Sequence, residues 1–248
     1  LLSTSGSTGS NKFVKQSYEN IYSNSKNIAK YLKIKTTDRS ITNLPLSYSY
    51  GLSVINSHFI KGGSIFVSKN TILEKMFWQK VYKYRITNLN GVPFFYEILK
   101  KIKFEKFNLK HIKFFTQAGG HLDKKLNKYF VKYCLKNKKK FIVMYGQTEA
   151  TSRISYLDWK FSLSKLGSIG KAIPQGNLKI NKNKKRGELI YQGKNVSIGY
   201  SENFKDLKDY DINKGTLHTG DIAKIDDDGF FYIVGRLNKN IKIYGFRI

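Results

Sequence analysis

The amino-acid sequence predicts an α/β fold: a parallel-type sheet layered with helices, followed by a smaller β-rich subdomain. Three observations predict it. Up to about residue 145, short apolar and β-branched runs alternate with segments of helical length. From about Leu166 the runs are all short and are separated by Gly, Asn and Asp clusters. Hydrophobic residues make up 40% of the 248 positions, enough to bury a sizeable core as one domain or two unequal ones. The expected division is an α/β subdomain over 1–160, a β-rich subdomain over 161–235 and a terminal segment over 236–248.

Each element follows from local pattern. Ser17 suits a helix N-cap, and Ile21, Tyr22, Ile28, Ala29 and Leu32 fall behind it near helical spacing. A short strand is expected from Ile41 to Leu44. Further strands are expected at Ser64 to Ser68, Ile86 to Asn90, Ile112 to Thr116 and Phe141 to Met144. Between them, Thr71 to Tyr84, Pro93 to Lys103 and Leu122 to Lys136 have helical length and spacing. Repeated β then α units imply a mostly parallel sheet covered by helices. The Lys/Asn runs at 136–140 and 181–185 read as loops. In the β-rich part, strands are expected at Gly187 to Gln192, Leu217 to Ile225 and Phe230 to Val234. Asp226-Asp227-Asp228-Gly229 reads as a turn between two of them, since nothing at calcium-loop spacing follows it.

Composition excludes several function classes. The single Cys134 permits no internal disulfide and no secretory signal is visible, so a reducing, cytoplasmic setting is expected. Lys and Asn interrupt every hydrophobic run well short of the roughly 20 apolar residues that span a bilayer. The formal charge of +28 invites a nucleic-acid or anionic-lipid reading. Yet only Arg39, Arg85, Arg153, Arg186, Arg236 and Arg247 are arginines, and Lys is scattered over nearly every segment. That profile suits a compositional bias decorating solvated faces, so no nucleic-acid partner is expected.

Chemistry concentrates in three places. Ser3-Thr4-Ser5-Gly6-Ser7-Thr8-Gly9-Ser10-Asn11-Lys12 packs hydroxyls, two glycines and a lysine into ten positions. Glycines let backbone N–H groups approach phosphate oxygens, hydroxyls add donors, and Lys12 adds positive charge. The Walker spacing is absent, and a flexible Ser/Gly linker is the alternative. Tyr145-Gly146-Gln147-Thr148-Glu149 follows an apolar strand, at the carboxyl end where open α/β sheets bind ligands. Tyr145 can stack on a base, Thr148 can bond a phosphate oxygen and Glu149 can help to hold Mg²⁺. Alone, Tyr145 would be a core or rim aromatic and Glu149 a surface charge. Third comes Leu217-His218-Thr219-Gly220-Asp221, then Gly235-Arg236 and Lys242-Ile243-Tyr244-Gly245-Phe246-Arg247. A carboxylate such as Asp221 can accept both ribose hydroxyls.

In this order the three segments resemble the adenylate-forming superfamily, which contains acyl-CoA synthetases, aryl-CoA ligases, firefly luciferase and nonribosomal-peptide adenylation domains. The resemblance covers essentially the whole chain. One departure is Asn11, where proline normally precedes the lysine of the phosphate loop. Leu44-Pro45-Leu46-Ser47-Tyr48-Ser49-Tyr50-Gly51-Leu52 resembles the segment that gates the acyl pocket, with Tyr48 at the gating position. Ala118-Gly119-Gly120 resembles the small-residue turn bordering adenine and acyl pocket.

The resemblance implies residue roles. Thr4, Ser5, Gly6, Ser7, Thr8 and Gly9 with Lys12 would cradle the polyphosphate. Tyr145 and Gly146 would flank the adenine together with Gly119 and Gly120. Thr148 would contact the α-phosphate, Glu149 would serve Mg²⁺, Asp221 would grip the ribose and Arg236 would assist at ribose and phosphates. Gly235-Arg236-Leu237-Asn238 matches the junction to a small C-terminal domain, with Asn238 at the hinge. Relatives often carry Asp or Lys there, so that assignment is positional, and Asn238 also suits a plain turn.

The reaction implied is attack of a substrate carboxylate on the α-phosphorus of ATP, giving an acyl-adenylate and pyrophosphate. Thioester formation would follow, on coenzyme A or on the phosphopantetheine of an acyl or peptidyl carrier protein. The same resemblance implies that the segments before the phosphate loop and after the hinge lie outside this sequence, so the isolated segment is expected to bind nucleotide weakly and turn over poorly. Tyr48-Ser49-Tyr50-Gly51 offers no carboxylate for an α-amino group, which disfavours amino acids and leaves a fatty, aryl or other simple acid. A noncatalytic module on the same fold and a basic nucleic-acid binder are the alternatives. Nucleotide binding without AMP release would mark the first, and steeply salt-dependent binding the second.

Overall fold

Apolar residues change sides along the strands of the first half, so helices cover both faces of a central sheet. The computed structural model describes residues 1–3, 12–181, 185–208, 210–237, 242–243 and 246–247. In order the elements are β1 (Leu2–Ser3), β2 (Phe13–Lys15), α1 (Tyr18–Leu32), β3 (Arg39–Ile41), α2 (Ser49–Phe59), β4 (Ser64–Phe66), α3 (Lys75–Lys83), β5 (Asn88–Gly91), α4 (Pro93–Lys101), β6 (Phe114–Gln117), α5 (Lys124–Lys136) and β7 (Lys140–Tyr145). The second half contributes β8 (Ser155–Leu157), β9 (Lys171–Ala172), β10 (Asn177–Ile180), β11 (Arg186–Gln192), β12 (Gly199–Ser201), β13 (Thr216–Ile225), β14 (Phe231–Arg236), β15 (Lys242–Ile243) and β16 (Phe246–Arg247).

Strands β5, β6 and β7 pair in parallel, with Asn88 opposite Phe114 and Phe114 opposite Lys140. β8 and β9 extend this sheet antiparallel, and β3 pairs in parallel with β4. The Thr87 amide donates to the Arg39 carbonyl at 2.8 Å, which sets β3 alongside the start of β5. Side-chain alternation assigns the faces. Phe115, Phe141 and Val143 pack with Phe77, Trp78, Tyr96, Leu99 and Phe130 of α3, α4 and α5. Phe114, Ile142 and Met144 face Ile28, Ala29 and Leu32 of α1 and Tyr50 of α2. Burying a side chain of this size contributes roughly 1.5–3 kcal/mol, so these two clusters dominate the cohesion of the layer.

Helix starts follow capping chemistry. The Ser17 hydroxyl accepts from the Asn20 amide and the Asn20 side chain accepts from the Ser17 amide, a reciprocal cap. Asp123 caps α5 by accepting from the amides of Lys125 and Leu126. Leu122 therefore precedes the helix expected to begin there. Glu74 accepts from the Thr71 amide at 2.6 Å and makes residues 71–74 a turn, so α3 begins at Lys75. In α1 the expected apolar face is only partly right: Tyr22 is exposed, and Ser23, Asn24 and Asn27 are buried instead.

The strand expected at Ile41 to Leu44 lies earlier, at Arg39–Ile41. Asn43 turns back onto the Ile41 carbonyl at 3.0 Å, and Pro45 has no amide with which to continue a ladder. Helix α2 was not expected, because its buried face is Ser49, Tyr50, Ser53, Ser57 and His58, with no apolar period to read. Gly51 is required in it: a Cβ there would lie 2.2 Å from the Pro45 carbonyl oxygen. The buried polar groups close into a network in which Asn90 donates to Ser40 and Asn88 and accepts from Thr116, and the Tyr50 hydroxyl contacts Thr116.

The second half folds as expected into a β-rich unit. β10, β11, β13 and β14 form an antiparallel sheet in that order. Its inner face, with Leu178, Leu189, Tyr191, Ala223 and Phe231, closes on Ala150, Ile154, Ile169 and Ile173, so its core reaches back to the loop after β7. β2 pairs antiparallel with β1 and with β12. The Asp226–Gly229 turn forms as expected, with the Asp226 carboxylate accepting from the Phe230 and Asp228 amides. No helix among the described residues is long and apolar enough to cross a membrane.

Candidate functional site

β7 ends at Tyr145 on the carboxyl edge of the parallel strands, and the chain then folds sharply back on itself. Gly146 permits the fold: a Cβ there would meet the Ser152 carbonyl oxygen at 1.9 Å. Residues Thr148–Ala150 form a single 3-10 turn, and Thr151 takes the left-handed conformation at φ 61°. This turn presents Tyr145, Gln147, Thr148 and Glu149 in different directions.

Tyr145 and Gln147 turn toward the β-rich unit. The Tyr145 hydroxyl donates to Asp221 Oδ2 at 2.5 Å, and Gln147 Nε2 donates to the same oxygen at 3.1 Å and to the Thr219 carbonyl at 2.8 Å. Asp221 lies opposite Arg236 in the β13–β14 ladder, and Arg236 Nε donates to Oδ1 at 2.5 Å. Burial first, then the neighbouring Asp221 charge, raise the Tyr145 pKa well above its ordinary value, so the phenol stays protonated and serves as donor. Three expected site residues, Tyr145, Asp221 and Arg236, thus converge on one buried carboxylate at the junction of the two sheets.

The other side of the turn faces helix α2 and β12. Thr148 is buried, its hydroxyl donates to Ser49 Oγ at 3.2 Å, and its carbonyl accepts from Gln16 Nε2 at 2.9 Å. Glu149 is half-buried and Oε1 accepts from the Tyr200 hydroxyl at 2.9 Å. Among the described residues no cluster of three or more His, Cys, Asp or Glu is placed to hold a metal ion. A lone carboxylate still fits Mg²⁺ that arrives with a nucleotide, because Mg²⁺ keeps waters and takes one or two carboxylates plus phosphate oxygens.

Lys12 is placed differently from the Asp221 cluster. It pairs with Glu202 Oε1 at 2.7 Å, is half exposed, and has its pKa raised by that hydrogen bond and charge. This position lies at the end of the β2–β12 pair, on the side of Tyr200 and Glu149, and no bond among the described residues joins it to Asp221. Thr4, Ser5, Gly6, Ser7, Thr8, Gly9 and Asn238 lie outside the described residues.

The expected pocket residues Tyr48 and Gly119 come together. Gly119 follows β6 at φ 81°, and the Tyr48 hydroxyl lies 2.6 Å from where a Cβ on Gly119 would stand. The Gly120 carbonyl accepts from Gln117 Nε2 at 2.9 Å, which fixes the turn. Sequence reasoning gave no role to Gln147 or Arg153. Gln147 stood inside a quoted motif; for Arg153 the signal was its rarity, one of six arginines in a Lys-rich chain and four residues beyond Glu149.

The chain is similar to known proteins along most of its length. The family model described as AMP-binding enzyme matches residues 1–201. Over 243 residues the chain is 29% identical to a 2-succinylbenzoate–CoA ligase of Bacillus licheniformis, covering 95% of this chain and 49% of that protein. It is also 29% identical to a luciferin 4-monooxygenase of Photuris pensylvanica, covering 99% of this chain and 46% of the relative. The o-succinylbenzoate coenzyme A synthetase of Bacillus subtilis, solved with ATP and magnesium ion, superposes with a TM-score of 0.80 at 28% identity, over all of this chain and 52% of that one. The chain therefore spans about half the length of the curated relatives it matches.

Proposed function

The chain belongs to the AMP-binding enzyme family, and from that premise we propose that it is the nucleotide-handling part of a ligase that activates a carboxylic acid as its adenylate. The observation that carries the proposal is the Asp221 carboxylate, held at the end of β7 by Tyr145, Gln147 and Arg236. A buried carboxylate rimmed by an aromatic ring is chemistry suited to ribose hydroxyls beside a base.

In this reading Asp221 accepts from the ribose, Tyr145 and Gly146 border the adenine with Gly119 and Gly120, and Arg236 neutralises charge near ribose and phosphates. Thr148 and Lys12 donate toward the phosphates, Lys12 together with the Thr4–Gly9 loop. Glu149 is the carboxylate that would hold Mg²⁺, which when bound neutralises phosphate charge. An oxygen of the substrate carboxylate attacks the α-phosphorus in line, the bond from that phosphorus to the pyrophosphate oxygen breaks, and pyrophosphate leaves. No protein nucleophile is required; the side chains bring two anions together and exclude water from the anhydride. The thiol acceptor is coenzyme A or a carrier protein, consistent with relatives named as CoA ligases. The acid is a small non-amino acid that enters past Tyr48 and Gly119.

ATP–pyrophosphate exchange by the full-length protein across a panel of acids tests the reading. Exchange that depends on one class of acid is expected. Nucleotide binding with no exchange for any acid would sink it in favour of a noncatalytic module.

A further inference from the structure

The most unusual charge in the molecule is Arg153. Its side chain is 3% exposed, and no carboxylate pairs with it among the described residues. Nη1 donates to the Ser152 carbonyl and to Ser152 Oγ, both at 2.9 Å. The guanidinium lies over the Tyr50 ring, its carbon 3.9 Å from the centroid. Nε and Nη2 are buried and have no hydrogen-bond partner.

Those two nitrogens are the informative ones. Nε–H and the adjacent Nη2–H form one parallel edge of the guanidinium fork, the edge that grips both oxygens of a carboxylate side-on. A cation held away from water without a counter-charge is unfavourable unless something supplies the missing acceptors. The surrounding hydroxyls do not supply them. The Tyr50 hydroxyl is committed to Thr116, and the Tyr31 hydroxyl to Met144 Sδ at 3.0 Å. Stacking on Tyr50 fixes the plane of the guanidinium without using any of its N–H groups.

The guanidinium lies among three tyrosines. The Arg153 charge acts on the phenols of Tyr31, Tyr48 and Tyr50, partly opposing the effect of their burial. Tyr48 is the side chain that lies against Gly119. Arg153 therefore lies on the Tyr48–Gly119 side of the β7 turn, whereas Asp221 and its three donors occupy the other side.

We propose that Arg153 is a specificity residue that binds a second carboxylate on the acid substrate, so that the enzyme activates a dicarboxylic acid whose distal end is anionic. This rests on the acid-ligase reading above. The reacting carboxylate goes to the nucleotide, and the distal one completes the Nε/Nη2 fork. Tyr48 and Tyr50, with ring centroids 6.3 Å apart, stand beside the guanidinium.

The test compares diacids with their own monomethyl esters, in an aryl series (1,2- and 1,4-benzenedicarboxylate) and an alkyl series (succinate to adipate). Binding to the full-length protein is measured by calorimetry, and ATP–pyrophosphate exchange is then measured on the same pairs. At least one diacid is expected to bind on the order of ten- to a hundredfold tighter than its monoester, the range for a charge-assisted bidentate pair. Arg153→Met reduces that ratio to about one, and Arg153→Lys retains part of it. The wild-type comparison stands alone if a variant does not fold. Equal binding of every diacid and its monoester, or no binding of either, overturns the proposal, as does equal loss of both on Arg153→Met, which would assign Arg153 to the reacting carboxylate. A diacid preference in binding without exchange would leave Arg153's role intact and remove the ligase reading instead.

Discussion

Replacing Asp221 by Asn perturbs the centre of the site with the smallest change in shape. The carboxylate is 6% exposed and accepts from Tyr145, Gln147 and Arg236. Asn retains one acceptor oxygen and presents an amide N–H₂ at the other position, where it must face a donor from Tyr145 and Gln147 or from Arg236. Removing one partner of a buried hydrogen-bonded charge pair costs about 3–5 kcal/mol. The Arg236 side chain keeps 24% of its exposure, so water recovers part of that loss. A net cost of about 2–3 kcal/mol follows, and at about 2–4 °C per kcal/mol for a chain of this size the Tm falls by roughly 4–12 °C. Tyr145→Phe removes a single donor and costs about 1 kcal/mol, which calibrates the measurement. Thermal melts and urea midpoints give the stability change, and titration with a fluorescent ATP analogue gives nucleotide affinity, expected to drop at least tenfold in Asp221→Asn. A variant that melts with the wild type and binds nucleotide equally well would refute both the energetic and the functional reasoning.

Three further outcomes check other parts of the structure. Gly146→Ala puts a Cβ 1.9 Å from a backbone carbonyl, so the β7 turn has to move and about 2 kcal/mol or more is lost, whereas Gly235→Ala, with nothing within 4 Å, leaves the Tm nearly unchanged. Burial pushes the Cys134 thiol up to about 12, so at pH 8 its thiolate fraction is on the order of one in ten thousand. Iodoacetamide should modify it only in denaturant, and rapid native labelling would contradict the packing. Burial lowers the His58 pKa below 6.5, with Nδ1–H donating to the Val54 carbonyl and Nε2 accepting from Asn88. The unfolded chain then binds the proton first. Its contribution to stability is complete above about pH 6.5 and is lost as pH falls through the folded pKa, by at most about 1.4 kcal/mol per pH unit. His58→Gln should flatten that part of the stability curve, and an unchanged slope between pH 5 and 6.5 would show that the ring binds its proton equally well in the folded and unfolded chains.

The fold was legible wherever burial wrote a period into the chain. Strand β7 reads as a continuous apolar run from Phe141 to Met144, whereas β5 and β6 set buried Leu and Phe beside Asn, Thr and Gln; helices α3, α4 and α5 bury aromatic side chains against the sheet. Helix α2 was not legible because it buries serines and a histidine that bond backbone carbonyls of the same helix, and polar satisfaction has no hydrophobic period. The site followed the same division. Asp221 and Tyr145 were readable as motif members because their chemistry is tied to residue type. The roles of Gln147 and Arg153 depend on where the chain folds back after Gly146, and that turn is set by an approach of Ser152 that no spacing rule records.

The donors around Asp221 also constrain how a nucleotide would enter. A carboxylate has about four lone-pair sites, and Tyr145, Gln147 and Arg236 already use three. Two ribose hydroxyls therefore cannot simply be added; at least one resident donor has to give way. Gln147 is the weakest held, at 3.1 Å from Oδ2, and it has the Thr219 carbonyl as an alternative partner at 2.8 Å. Arg236 is the costliest to displace, because its Nη1 is already buried without a partner and its Nε would join it. Ribose binding at this carboxylate should therefore loosen Gln147 and Tyr145 from Asp221 before it disturbs the β13–β14 ladder. The resident hydrogen bonds keep the acceptor oriented, and the weaker ones set the free energy that an incoming nucleotide has to exceed.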